Sequence, residues 1–192
     1  DELMPKSVLK DNTFIYNYCI SSWIYINPQP LNTSTAYSEN TTILNYGNRP
    51  NIVYDAVANQ FVVYMKSTST GSKYGYKVIK LKKEVLLQKW NHLLVNYDGG
   101  TLDIFLNNEL IKTIDNVTPY ISEDNITSGA YNGINGGICN VVYYNRVLDN
   151  NEIDLIGKIT IQFKDLNNFY RSFQVKKNHR KLIKDIQIDF IY

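Results

Sequence analysis

The clearest pattern along the chain is a period of two, the spacing of half-buried β-strands. In residues 101–106, Leu102, Ile104 and Leu106 fall on one side, with Asp103 and Phe105 on the other. Residues 14–26 (FIYNYCISSWIYI) form a denser run of β-branched and aromatic side chains. Asn27-Pro28-Gln29-Pro30 stops it, because proline lacks the ladder donor. The Ser/Thr/Asn-rich stretch 31–42 reads as a long surface loop. Strands are predicted at 43–46, closed by Gly47-Asn48-Arg49-Pro50, and at 51–54 and 60–66 around a turn at 55–59. Residues 67–73 read as a loop tip, and 74–81 as the strand that resumes the sheet.

The most legible stretch is 88–114. Gln88-Lys89-Trp90-Asn91 leads into a strand at 92–97, and Asp98-Gly99-Gly100 turns the chain into 101–106. Asp-Gly between apolar runs is a strong hairpin signal. Asn107-Asn108 turns again into 109–114, which completes a three-stranded meander. The glycine-rich 129–137 reads as a loop passing close to other backbone. It lacks the Lys-Ser/Thr of a phosphate loop, and the chain has no G-x-G-x-x-G. A strand is predicted at 138–144, then a short helix over 149–157. Asp149 caps that helix, Glu152 reaches back, Leu148 staples onto Ile153 and Gly157 ends it. Two further strands are predicted at 159–163 and 183–191. About ten short strands with one helix specify an all-β antiparallel sandwich. No helical pattern is long enough for a crossover topology.

Composition narrows the classes. The 192 residues are 44% hydrophobic and 20% charged, enough to build a core. Sixteen Tyr lift the aromatic share to 13%, which favours strands. Two Cys exclude a disulfide-dense scaffold and a four-Cys zinc site, and two His argue against a His-rich metal site. No apolar run reaches the ~18 residues of a membrane helix. The chain begins at Asp1 rather than Met, as a processed product or excised piece would, so membrane attachment would need a segment preceding it. The net charge is +2, which gives no argument for nucleic acid. It is uneven: 158–192 carry eight Lys/Arg against three Asp, for +5, which leaves −3 on 1–157. The seam after Gly157 divides a sandwich body, 1–157, from a basic appendage, 158–192, expected to add strands. A solvated basic face accounts for that charge; a surface for an acidic partner is the sharper alternative. Sequons at Asn32, Asn40, Asn116 and Asn125 number four; 24 Asn and 23 Ser/Thr give about three by chance, so they say nothing about secretion.

The order of Ile20-Ser21-Ser22-Trp23-Ile24-Tyr25-Ile26, Trp90-Asn91-His92, Tyr97-Asp98-Gly99-Gly100, the run from Leu102 to Leu110, the run from Gly137 to Leu148, and Glu152-Ile153 resembles the laminin-G/concanavalin A-like lectin superfamily. The resemblance covers 14–157 and implies a jelly-roll β-sandwich. The family usually has Gly where this chain has Asn108; Asn also tolerates positive φ. A narrower likeness runs through Asn45-Tyr46-Gly47-Asn48-Arg49-Pro50-Asn51-Ile52, Gln88-Lys89-Trp90-Asn91 and the run from Asn132 to Cys139. These segments look like the lectin-like ectodomains of giant nucleocytoplasmic DNA viruses. The lectin-like domain of clostridial neurotoxins is a rival relative, with similar composition and a similar Trp-bearing early strand.

Glycosidases on this fold resemble one another in a strand bearing E-x-D-x-x-E, because two carboxylates about 5–9 Å apart must flank a glycosidic bond. The matching strand here carries Asp103 alone, so hydrolysis by that route is not expected. No Ser-His-Asp or Cys-His set has sequence support, and His92 reads as structural. The resemblance implies a rim Ca²⁺ as the one candidate cofactor, with Asp55, Asp98, Asp124 and Asn125 as ligands and turn chemistry as the alternative. Cys19 and Cys139 lie on strands that are often neighbours in the family; a bridge needs Cα atoms within about 7 Å, and two buried free thiols are the preferred reading. A glycan site needs an aromatic platform with a few planar polar groups. Tyr74, Tyr76, Tyr120, Tyr131 and Asn132 are the candidates, with loops 67–76 and 129–136 as the ligand side.

The expected function is a non-catalytic lectin-like module that meets a glycan or protein surface through its rim loops. The alternative is a viral structural protein, envelope- or capsid-associated, that packs against virion neighbours and binds no sugar. An enzyme ranks below both. The expected location is a virion surface or an extracellular or luminal face.

Overall fold

The computed structural model describes residues 2–5, 17–28, 41–67, 75–117, 124–129 and 134–161, with no side-chain description for 158–161. Among these residues the order is β1 (Glu2–Met4), β2 (Tyr18–Ile26), β3 (Thr41–Tyr46), β4 (Asn51–Asp55), β5 (Gln60–Lys66), β6 (Tyr76–Lys80), β7 (Trp90–Asp98), β8 (Thr101–Leu106), β9 (Glu109–Ile114), β10 (Ile126–Ser128), β11 (Gly136–Tyr144) and α1 (Asn150–Ile161). Two sheets form, ordered β1-β10-β3-β4-β5-β6 and β11-β2-β7-β8-β9. Neighbours in both are antiparallel. The all-β antiparallel sandwich read from the alternation is the fold observed.

The inward faces of the sheets share one core. Ile20, Ile24 and Ile26 of β2, Leu93 and Val95 of β7 and Leu102, Ile104 and Leu106 of β8 meet Leu44, Ile52, Phe61, Val63 and Met65 of the other sheet, all at most 1% exposed. Each such side chain contributes about 1.5–3 kcal/mol by leaving water. The five-stranded sheet is covered on its outer face too. Cys19, Leu94 and Phe105 pack there beneath Leu148 and Ile153, at the start of α1. Burial on both faces is why β2 and β7 read as near-continuous apolar runs rather than strict alternations.

The capping reading of α1 holds: the Glu152 N–H donates to Asp149 Oδ1 (2.9 Å) and the Asp149 N–H to Glu152 Oε2 (3.0 Å). Its end is corrected. The helix runs through Gly157 to Ile161, so 159–161 are helical rather than the start of a strand. Gly157 serves close packing, not termination: a Cβ there would collide with the Asn108 side chain. The rest of the predicted 159–163 strand, the 183–191 strand and the appendage beyond Ile161 lie outside the described residues.

The short strands β1 and β10 were not predicted. Both meander turns form as expected, with Gly99, Gly100, Asn107 and Asn108 all at positive φ. Register sets Cys19 opposite Tyr144, and Cys139 opposite Trp23. The two thiols are thus four positions apart along β2, roughly 13 Å, beyond disulfide reach. Both cysteines are free.

The sandwich has two ends. At the Tyr18 end, the Tyr18 hydroxyl donates to the Arg49 carbonyl (2.6 Å), Tyr97 pairs with Tyr18, and the Lys66 N–H donates to the Asn48 carbonyl (2.7 Å). This end gathers the 47–50 turn, the Gly99-Gly100 turn, the start of β6 and the start of β10. At the Ile26 end, the Gln88 N–H donates to the Ile26 carbonyl (2.7 Å), and Gly136 pairs with Ile26. There the 56–59 turn, the 81–89 connection and the Asn107-Asn108 turn meet the start of β11.

Candidate functional site

Four tyrosines from four strands build a floor under the Tyr18 end. The Tyr18 ring stacks on Tyr97 (centroids 5.4 Å apart) and Tyr143 (6.1 Å), and meets Tyr46 edge-on (5.8 Å). Tyr46 in turn meets Tyr143 edge-on at 5.6 Å. Stacked and edge-on geometries are those the ring quadrupoles favour. The Arg49 guanidinium lies 4.9 Å from the Tyr46 ring centroid, a cation–π contact. The Tyr97 hydroxyl donates to the Val117 carbonyl (2.9 Å). Burial pushes the Tyr18 and Tyr143 hydroxyls up, so both stay neutral; Arg49 opposes the rise in each. The floor is part of the core: Tyr18, Tyr46, Tyr97 and Arg49 are at most 7% exposed and Tyr143 is half-buried, so it supports the rim from beneath.

Polar groups ring this floor. Asn45 Oδ1 accepts from the Asn48 N–H (2.8 Å), which shapes the 47–50 turn. The Asp124 carboxylate packs against Gly47, where a Cβ would collide with it. Gly47 is also at φ +52, so this turn needs glycine on both counts. Lys77 Nζ donates to the carbonyls of Asp115 (3.0 Å) and Asn116 (2.5 Å), which ties β6 to the end of β9. Asn125 Nδ2 donates to Glu2 Oε2 (2.9 Å). Asp98 is exposed at the tip of β7.

Of the aromatic candidates, Tyr76 opens β6 opposite Lys66 and is half-buried at this end. Tyr74, Tyr120, Tyr131 and Asn132 lie outside the described residues. The ligand side read from loops 67–76 and 129–136 is corrected: 67–76 joins β5 to β6 at the Tyr18 end, whereas 129–136 enters β11 at the Ile26 end. One ligand cannot use both as a single rim. The metal candidates divide likewise. Asp98, Asp124 and Asn125 sit at the Tyr18 end. Asp55 sits at the other, where its Oδ1 accepts from the Ala58 N–H (3.0 Å) as a turn former. Asp55 is thus parted from the other three, and among the described residues no three His, Cys, Asp or Glu side chains come together.

Asp103, the lone carboxylate of β8, accepts from Thr113 Oγ1 (2.6 Å) and stands opposite Asn96, not a second acid. A Ser–His contact does exist: Ser21 Oγ and His92 Nε2 are 2.8 Å apart. Sequence gave no signal of it, because the two residues are 71 apart and meet only through the β2–β7 register. Both are 1% exposed, and the Trp23 ring stacks on His92 at 4.8 Å. His92 Nδ1 has no hydrogen-bond partner, and the Asn108 amide is the polar group facing it. Burial pushes His92 down to about 4, with Asn108 opposing the fall. A base this weak, sealed from solvent, cannot activate a serine for an incoming substrate; the pair is a buried structural clamp. The tyrosine floor also escaped sequence reading, since its members come together only through sheet register.

A sequence model described as the concanavalin A-like lectin/glucanases superfamily matches residues 5–154. Among solved structures, the chain is similar to the binding domain of Paraclostridial Mosquitocidal Protein 1, with TM-score 0.57 and 14% identity over 77% of this chain and 39% of that one. It is similar to the botulinum neurotoxin serotype G binding domain, with TM-score 0.57 and 17% identity over 76% and 37%. Trypanosoma rangeli sialidase matches with TM-score 0.53 and 16% identity over 72% and 22%. At such identities the likeness is one of fold. The chain spans less than half the length of each of these proteins. Comparison with curated protein sequences gave no match.

Proposed function

This chain belongs to the concanavalin A-like lectin/glucanase superfamily, and we propose that within it the protein is a non-catalytic module that binds a glycan or protein surface through its Tyr18 end. The observation that carries this reading is the floor of Tyr18, Tyr46, Tyr97 and Tyr143 with Arg49, ringed by Tyr76, Lys77, Asp98, Asp124 and Asn125. The buried cluster fixes the rim above it, and there half-buried Tyr76 offers an aromatic face with Lys77 and exposed Asp98 as polar neighbours, a combination that suits a glycan or peptide ligand. Two of the matched structures are binding domains of toxins, which supports a binding role. The sialidase match, at 16% identity, is a likeness of fold and brings no hydrolytic reading with it. The likeness to viral ectodomains, and a virion location with it, rests on the sequence segments alone.

The test is a glycan array probed with the intact chain, with and without Ca²⁺, beside a screen of glycosidase substrates. Binding to a defined glycan class without turnover is the expected result. Turnover that disappears in Asp103→Asn would overturn the non-catalytic reading.

A further inference from the structure

We propose that helix α1 is an acid-sensitive latch: docked on the five-stranded sheet over His92, it loosens locally when that histidine takes up a proton. This goes beyond the binding-module reading and does not rest on it, since none of the rim residues takes part.

Among the described residues, α1 is held to the sheet at two places. At its start, Leu148 and Ile153 pack on Cys19, Leu94 and Phe105. About one turn further on, Gly157 sits against the Asn108 amide, so closely that a Cβ would collide with it, and Asn108 Nδ2 donates to the Asp154 carbonyl (3.3 Å). The same amide is the polar group that faces His92. It therefore lies between the helix and the imidazole, and both polar atoms at this contact are sealed in. His92 Nδ1 and Asn108 Oδ1 are buried without a hydrogen-bond partner. Such atoms are poorly served while the helix is down and are hydrated once it lifts. The second hold on α1 is thus weaker than the apolar one.

A proton on His92 has to be met by movement of this cover. The residue lies on β7, the central strand of its sheet, paired with β2 on one side and β8 on the other. The ring cannot swing out without breaking both ladders. Around it stand Ser21 Oγ, 2.8 Å from Nε2, the stacked Trp23 ring and the Asn108 amide. Cys139 pairs with Trp23 from β11 and is a neutral thiol, pushed up to about 12 by burial. The charged groups on the covering elements, Asp154 of α1 and Glu109 at the start of β9, are exposed, and Glu109 is paired with Lys83. Burial and the Asn108 hydrogen bond are what act on the ring, so an imidazolium here has no described carboxylate to balance it and needs water. The layer of Asn108 and α1 is the cover that can lift to admit it. With the helix down, the ring titrates at about 4; with the helix up, it regains the ordinary 6.5. Above pH 6.5 both states are neutral and docking is at full strength. As pH falls from 6.5 toward 4, the open state takes up a proton that the docked state refuses, and docking weakens.

The test is hydrogen–deuterium exchange of the full chain at pH 7 and pH 5, corrected for the intrinsic exchange rate at each pH. The amides of 153–157 in α1 should be less protected than those of 102–106 in β8 at both values, because the helix opens without the sheet. Between pH 7 and pH 5 the α1 amides should lose protection on the order of tenfold, from the linkage of one proton. His92→Gln should keep α1 protection the same at the two pH values. Equal protection in α1 and β8 would mean that the helix opens only when the whole sandwich unfolds, and would overturn the proposal. So would α1 protection that does not change with pH, or a change that survives His92→Gln. A reciprocal measurement stands apart from that variant. Ile153→Ser weakens the apolar hold, and the His92 ring, followed by NMR, should then titrate above the parent's midpoint of about 4, toward 6.5. The same midpoint in both folded proteins would show that α1 does not seal the histidine, and the latch would be refuted.

Discussion

Inside the five-stranded sheet, His92 is held neutral by its surroundings, and this has a measurable consequence. Its folded value of about 4 lies below the ordinary 6.5 of an exposed histidine. Above pH 6.5 both folded and unfolded states are neutral, and the stability is complete. As pH falls from 6.5 toward 4, the unfolded chain takes up a proton that the folded chain refuses. Stability is therefore lost across that window, by about 3 kcal/mol in total. Urea unfolding at pH 7 and pH 4 should show this loss, and His92→Gln should remove most of it. Equal pH dependence in the two proteins would contradict the account. Glu152, held near 2 by its Arg146 partner, contributes a little above pH 4.5 and loses it only as pH falls below that value; the contribution is small because the pair is exposed. Gly157 makes a second residue-scale case. Ala is the better helix former by about 1 kcal/mol, yet a Cβ at 157 meets the Asn108 side chain, an overpacking cost of about 1–3 kcal/mol. Gly157→Ala should lower the melting temperature. Adding Asn108→Gly, at a position already at positive φ, should restore it.

At the scale of elements, local chemistry made most of the fold legible. The Asp149–Glu152 capping box, the staple of Leu148 on Ile153 and the two tight turns were readable because each signal lies within a few residues. Glu152→Ala should cost about 1 kcal/mol of stability through the lost cap, seen as a lower thermal midpoint; no change would mean the Asp149 half of the box suffices. What was illegible has physical reasons. β1 and β10, three residues each, are too short to show a period, and they exist because they pair with each other and with β3. The end of α1 was misread because glycine serves two purposes, as a left-handed stop and as a gap for a neighbour. Only the packing of α1 on the Asn107-Asn108 turn distinguishes them.

For the whole molecule, the sandwich was readable and the sites largely were not. A rim is an assembly of residues far apart in sequence, and only the path of each strand between the two ends decides which of them meet. That is why loops 67–76 and 129–136 read as one side and lie at opposite ends, and why Asp55 parts from Asp98 and Asp124. It is also why Tyr18, Tyr46, Tyr97 and Tyr143, unremarkable singly, form one floor. The central claim is that recognition belongs to the Tyr18 end. The most direct test takes a glycan or protein ligand captured by the intact chain and measures its affinity for two variants of opposite ends. Tyr76→Ala/Asp98→Ala should weaken binding at least tenfold, as loss of an aromatic contact typically does, while Val57→Ser/Leu87→Ser leaves that affinity unchanged. Loss confined to the second variant, or shared by neither, would contradict the account.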